Sequence, residues 1–274
     1  MKRELKKKLR SISRNEIRLI YKQAKRKRPY LSSKIGGKPA VPEGFVWPCY
    51  EGTPLSFMAQ INLKDVANLD KDNLLPKSGV LSFFYELDSM KWGYDPKDKG
   101  SARVFYFPDE ATLTAAEFPD ELENYAKIPE YSVKYKAHIS LPESIDDEYD
   151  DDEYDECCEE LGYEYDDDSE RTKLLGYPDV IQNPMEEECE TVSRGYSQGN
   201  PEDDKKIPEP EKADIKSKAD EWIPLFQMGT ICDEDSDDDY ELMFGDCGHI
   251  YFWIKKKDLA ECNFDNIWLI LQCS

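Results

Sequence analysis

Leu55-Ser56-Phe57-Met58-Ala59-Gln60-Ile61-Asn62-Leu63, which follows Pro54, is apolar at six of nine positions and carries a glutamine among them. A short run of this kind, rich in aromatic and branched side chains and bounded by proline, reads as a largely buried β-strand. Gly79-Val80-Leu81-Ser82-Phe83-Phe84-Tyr85 and Ala102-Arg103-Val104-Phe105-Tyr106-Phe107 supply two more strands after it. The same order returns near the carboxyl end in Leu225-Phe226-Gln227-Met228, Gly248-His249-Ile250-Tyr251-Phe252-Trp253 and Ile267-Trp268-Leu269-Ile270-Leu271. Gln60 precedes Gly79 by 19 residues and Gln227 precedes Gly248 by 21, and from those glycines Phe83-Phe84 falls opposite Phe252-Trp253. The expected fold is therefore α+β and mainly antiparallel β, with internally duplicated three-stranded units at about 54–107 and 222–273, peripheral helices, and a pseudo-twofold pairing of the units into a shared sheet or sandwich. An unpartnered buried amide costs about 1–3 kcal/mol, so Gln60 and Gln227 should each bond to the backbone of an adjoining loop or line a wet cleft.

Between the units, Tyr131, Val133, Tyr135, Ala137, Ile139 and Leu141 alternate with Lys134, Lys136 and His138, which is the pattern of a half-exposed strand. Residues 143–170 then hold seventeen Asp or Glu and no Lys or Arg. Like charges at this density oppose folding of the segment on itself, so it reads as an acidic insertion that either keeps the chain solvated or receives a basic partner. A second acidic run, 233–239, starts like a calcium loop but has Asp238 where glycine is needed and Phe244 where the bidentate glutamate belongs.

Towards the amino end, Leu5, Leu9 and Ile12 lie among lysines at helical spacing, and the domain expectation is a basic helical arm over 1–30 followed by a single domain over 31–274. The boundary is open at Ser13, because Ser13 with Glu16 could cap a second helix whereas Ile17, Leu19 and Tyr21 alternate as a strand does. Lys34, Gly36, Gly37 and Trp47 belong to a tightly turned structural loop dense in glycine and proline, and the spacing of a phosphate-binding loop is absent there. Leu174-Leu175-Gly176-Tyr177-Pro178 forms a turn that restarts the folded part, and polar helices are expected near 208–219 and after Lys255.

The formal net charge is −23. Residues 1–28 carry thirteen basic residues against Glu4 and Glu16, which leaves about 34 excess negative charges on the remainder. An acidic body of this kind repels nucleic acid, so nucleic acid is not an expected partner outside the basic arm. No apolar run is long enough to span a membrane and the first 30 residues lack the apolar stretch that a secretory signal needs after its basic start, so the expected location is cytoplasmic. The eight cysteines form no CxxC pair and two histidines offer little help, so reduced thiols, no metal and no cofactor are expected.

Ser33-Lys34-Ile35-Gly36-Gly37 with Trp47-Pro48, Phe57-Met58-Ala59-Gln60-Ile61, Leu174-Leu175-Gly176-Tyr177-Pro178, Gly245-Asp246-Cys247-Gly248 and Phe264 to Gln272 together resemble the YwqG-like family, the bacterial domain of unknown function 1963. The resemblance covers nearly the whole chain. It implies an α+β fold and a set of proteins some of which occur beside toxin systems. The long acidic insertion and the very basic start depart from the family pattern.

Two functions follow. One is a non-enzymatic binding protein that sequesters a basic protein partner such as a toxin, because the acidic excess would steer a cationic partner. The other is a small-ligand or enzymatic domain with a polar cleft between the repeats, with Gln60, Gln227, Arg103, Asp246 and His249 as candidates. No catalytic residue is singled out, although Cys247 and His249, two apart, could share one side of a strand as a thiolate and imidazole pair.

Overall fold

Strands apolar at consecutive positions need cover on both faces, and the chain provides it by curling one large sheet around its own core. The structure is a computed structural model. It describes residues 2–142, 145, 150–163, 171–232 and 240–274. The 233–239 run and most of 143–149 and 164–170 lie outside the described residues.

The elements are α1 (Lys2–Ile12), β1 (Arg14–Gln23), β2 (Lys34–Ile35), β3 (Ser56–Asn62), β4 (Val80–Tyr85), β5 (Ala102–Phe107), β6 (Tyr131–Ser140), α2 (Asp151–Glu160), β7 (Lys173–Leu175), α3 (Glu186–Ser193), α4 (Glu209–Lys218), β8 (Trp222–Gly229), β9 (His249–Lys255) and β10 (Trp268–Gln272). Shorter helical turns and two-residue ribbons decorate the connections. All ten strands join one sheet in the order β10-β9-β8-β7-β1-β6-β2-β3-β4-β5, every neighbouring pair antiparallel.

The fold is α+β and mainly antiparallel β, as expected. The two three-strand groups, however, are not neighbours. They form opposite ends of the sheet, and β7, β1, β6 and β2 lie between them. Successive strand residues point to opposite faces, so Phe83 and Phe252 turn inward while Phe84 and Trp253 turn outward. On the inner face the curled ends meet, with the Phe83 ring 4.5 Å from Phe226 and 5.2 Å from Phe252. Outward, Trp253 joins Tyr251, Trp268 and Ile270 under Met185, Cys189 and Val192 of the α3 region, and Phe84 joins Leu55 and Phe57 with Trp47 packed against them. Each buried aromatic side chain contributes about 1.5–3 kcal/mol through the area removed from water.

The open boundary at Ser13 resolves as a strand. β1 pairs with β6 over ten residues, from Arg14↔Ser140 to Gln23↔Tyr131, and with β7 on its other side. Only Lys2–Ile12 of the expected helical arm is helical, because the ladder to β6 along 14–23 and to β7 over 16–18 outweighs any local capping.

The acidic insertion also differs from expectation. Its residues 151–160 form α2, in which seven of ten residues are Asp or Glu. Such a helix would repel itself, but α1 lies along it. Lys2 pairs with Glu156 and Lys6 with Glu160, and Leu5 and Leu9 pack with Leu141, Tyr154, Cys157 and Cys158. The segment therefore folds against the basic helix.

Candidate functional site

The two glutamines are placed alike. Gln60 on β3 is fully buried; its Oε1 accepts from the Ala40 N–H at 2.7 Å, and its Nε2 donates to the Tyr30 and Ser32 carbonyls at 2.9 and 3.0 Å. Gln227 on β8 accepts from the Asp179 N–H at 2.9 Å and donates to the Arg171 carbonyl at 3.1 Å and to Asp179 Oδ2 at 2.6 Å. Both amides are engaged by the loop that crosses their strand, so they clamp backbone. Lys34 stands opposite Gln60 in the β2/β3 register, and Lys173 stands opposite Gln227 in β7/β8. After Lys34 the backbone turns at Gly36 with φ +60, where a Cβ would lie 2.1 Å from the Pro129 carbonyl oxygen, so only glycine fits.

Beside Gln227 lies a buried charge cluster. Lys173 Nζ donates to Glu16 Oε2 at 3.0 Å and to Asp179 Oδ1 at 2.8 Å; Arg18 Nε reaches Glu16 Oε1 at 2.6 Å, and Arg171 Nη1 reaches Asp179 Oδ1 at 2.7 Å. Burial works against the Asp179 carboxylate, but the Lys173 and Arg171 charges outweigh it and hold the group down at about 2. Glu16 is lowered in the same way, with Lys173 and Arg18 overcoming burial. These charges pair with one another, with Glu16 and Lys173 buried and the Asp179 side chain 21% exposed.

The other candidates are not brought together. Arg103 is exposed on the end strand β5, opposite Phe84. Asp246 is exposed in the turn before β9, and His249 is buried at the start of β9 opposite Gln272. Cys247 has φ +50 and precedes β9, so the alternation of a strand does not relate it to His249. Trp47 donates its indole N–H to the Leu55 carbonyl at 2.8 Å and covers the outer aromatic cluster.

Sequence reasoning passed over Lys91-Trp92-Gly93-Tyr94-Asp95, in the connection from β4 to β5. Its composition, aromatic and acidic residues around Gly93 and Pro96 in a long loop, was the available signal. The segment lies along β10: the Leu271 N–H donates to the Trp92 carbonyl at 3.0 Å and the Trp268 indole to the Gly93 carbonyl at 2.8 Å. A Cβ at Gly93 would sit 1.8 Å from the Leu269 carbonyl oxygen, so glycine permits this approach. On its far side the Gln198 N–H donates to the Tyr94 carbonyl at 2.7 Å.

Two hollows open there. One, of about 430 Å³, is lined by Trp92, Tyr94, Asp95, Asp98 and Asp203 among others. The second, of about 360 Å³, is lined by Glu187, Glu188 and Asp204 with Thr191, Ile207 and Lys212. Gln198 lines both, so they adjoin. Trp92 is 40% exposed, with its ring centroid 6.4 Å from that of Tyr94. Burial, with Glu186 adding to it, pushes the Glu188 carboxyl up to about 7. Burial likewise raises Asp98. Lys212 is already held by Asp204 at 2.8 Å and Glu209 at 3.3 Å.

The profile of a family described as a domain of unknown function (DUF1963) matches residues 33–273. The chain belongs to this family. Comparison with the curated proteins finds no match. The DUF1963 match takes in β2 to β10, both glutamines and both hollows, while α1, β1 and the Tyr30 and Ser32 carbonyls that Gln60 holds precede it. Among the described residues no helix is long and apolar enough to cross a membrane.

Proposed function

We propose that this DUF1963 protein is a non-enzymatic binding protein that sequesters a basic polypeptide, with the paired hollows around Gln198 as the place where cationic side chains are received. The observation that carries this reading is the balance of charge there: Asp95, Asp98, Asp203, Glu187, Glu188 and Asp204 line the two hollows against Lys91 and Lys212. The exposed Trp92 beside Tyr94 adds an aromatic face, and a desolvated cation over such a face gains about 1–2 kcal/mol. The acidic excess of the whole chain speeds the encounter at low salt. An immunity-type role, in which the bound polypeptide is a toxin, is a special case of this chemistry.

Titration of Trp92 fluorescence with an octa-arginine peptide tests the reading. Asp95→Asn with Asp98→Asn and Glu188→Gln is expected to weaken binding about tenfold or more, whereas neutralising the exposed Asp120, Glu121 and Glu123 elsewhere changes it little. Equal losses from the two triple variants would reduce the effect to net charge and end the proposal.

We also propose that the two ends of the sheet are copies of one unit. Supporting this, Gln60 accepts from the residue six after Lys34 and donates to the carbonyl two before it, and Gln227 does the same about Lys173. The β3/β4 register shifts between Phe57 and Ala59 and the β8/β9 register between Pro224 and Phe226, so each bulge stands at the same distance before its glutamine. An experimental structure in which the rotation carrying Gln60 onto Gln227 leaves Lys34 and Phe83 away from Lys173 and Phe252 would overturn it.

A further inference from the structure

An acidic helix that cannot hold itself together displays in this fold the kind of ligand that completes it. Seven like charges over ten residues of α2 repel one another at the spacings where helix side chains meet. The Asp150 carboxylate caps the amino end by accepting from the Asp152 N–H at 3.1 Å, and α1 supplies the opposite charge and part of the apolar cover. The contact has two parts. Lys2 and Lys6, one turn apart, reach Glu156 and Glu160, also one turn apart. Between them Leu5 and Leu9, both fully buried, press onto Cys157 and Cys158 and the Tyr154 ring, whose hydroxyl donates to the Pro142 carbonyl. This is recognition of an amphipathic basic helix by apolar residues at i and i+4 flanked by lysines. The ion pairs are largely exposed, with 58% and 48% of the Glu156 and Glu160 side chains open to solvent, so they fix register more than they stabilise. The helix α1 also stands outside the region matched to the family, 33–273.

We propose that the face of α2 bearing Tyr154, Cys157 and Cys158 is a docking surface for a basic amphipathic helix, and that α1 occupies it in cis, so that a partner helix of this chemistry engages it by displacing α1. The inference shares with the proposed function only the chemistry of the partner; the surface is separate from the hollows around Gln198. The tether through Ser13 is short, which gives α1 a high effective concentration and keeps the surface closed until a stronger helix arrives.

The experiment uses the full chain and a fluorescent peptide with the sequence of residues 2–12, followed by anisotropy. Lys2→Glu with Lys6→Glu weakens the resident helix, and the peptide is expected to bind that variant at least about tenfold more tightly than the unaltered chain. Adding Glu156→Lys and Glu160→Lys abolishes the gain, while Asp95→Asn with Asp98→Asn leaves it unchanged. A second readout does not depend on affinity: Cys157 and Cys158 are buried beneath Leu5 and Leu9, so they alkylate faster in the Lys2→Glu, Lys6→Glu chain and are protected again by the peptide, with the exposed Cys49 and Cys262 as internal references. Equal peptide affinity for the two chains, or binding that ignores the changes at Glu156 and Glu160, overturns the inference. Loss of the gain through the Asp95 and Asp98 changes instead would assign the peptide to the hollows and end it equally.

Discussion

Lys34 and Lys173 stand in matching places, each opposite a buried glutamine that clamps the loop beyond it, yet the two lysines live under different electrostatic conditions. Lys173 has two carboxylates within 3.0 Å, Glu16 and Asp179. Lys34 is as deeply buried but finds Glu130 at 3.6 Å, and burial lowers its pKa despite that charge. Part of the difference traces to one position. The residue whose N–H each glutamine accepts is Ala40 in one half and Asp179 in the other, so the backbone arrangement is shared while the charge that balances the lysine is not. A glutamine clamp thus forms without a carboxylate at the position that Asp179 fills, and the cluster around Lys173 is an addition to it.

The largest effect that would break this comparison is expected from Lys173→Met. It leaves Glu16, 1% exposed, with Arg18 alone, and should cost about 3–5 kcal/mol in urea unfolding. A loss similar to that of Lys34→Met would show that the cluster contributes little. Next, Gln227→Leu should cost about 2–3 kcal/mol and Gln60→Leu slightly less, since both strand a buried N–H and carbonyls but Gln227 also holds the Asp179 carboxylate. The reverse order would assign that carboxylate bond no weight. Acid denaturation gives the third test. The folded Asp179 carboxyl, at about 2, lies below its ordinary value of 3.8, so its contribution is complete above about pH 4 and is lost as pH falls through 2. That contribution is about 2 kcal/mol and should vanish in Asp179→Asn, whose stability is flatter across the window.

The smallest effect is expected at Lys34. Lys34→Met should change stability by less than about 1 kcal/mol, because a buried lysine with one distant partner is replaced by an apolar side chain of similar length. The pH dependence has the same sign as that of Asp179, stability rising with pH, but here what changes is the relief of a penalty on the charged form. A lysine whose folded pKa is below 10.5 releases its proton before the unfolded chain does, so the unaltered protein gains stability relative to Lys34→Met as pH rises from the folded value towards 10.5. An unaltered protein that loses stability relative to Lys34→Met as pH rises would refute the under-paired state of Lys34.

The six end strands were legible because their side chains are apolar at consecutive positions, a pattern that solvent-facing segments do not sustain. The bonds of Gln60 and Gln227 to loop backbone were legible for a related reason: a polar group inside an apolar strand must be satisfied nearby. The central strands were less so. β2 and β7 are two and three residues long, too short for periodicity, and β1 mixes Glu16 and Arg18 into its buried stretch because β7 brings Lys173 to them. The candidates Arg103, Asp246 and His249 were chosen for chemistry within the repeats, and nothing local reports that they end on an edge, in a turn and in the core. The Trp92 segment was missed because its meaning depends on β10, which lies about 175 residues further on in the chain.

Apolar runs, turn residues and charge blocks act through neighbours in the chain, and from them the α+β class, the buried strands, the basic first helix and the acidic insertion could be derived from sequence alone. Tertiary structure decided that α1 lies on α2, that four strands separate the two glutamine-bearing groups, and that carboxylates from residues 95–98 and 187–204 face one another around Gln198. The reason is physical. Burial of a charge, the pairing of opposite helices and the convergence of carboxylates are properties of distances across the fold, and spacing along the chain does not encode them.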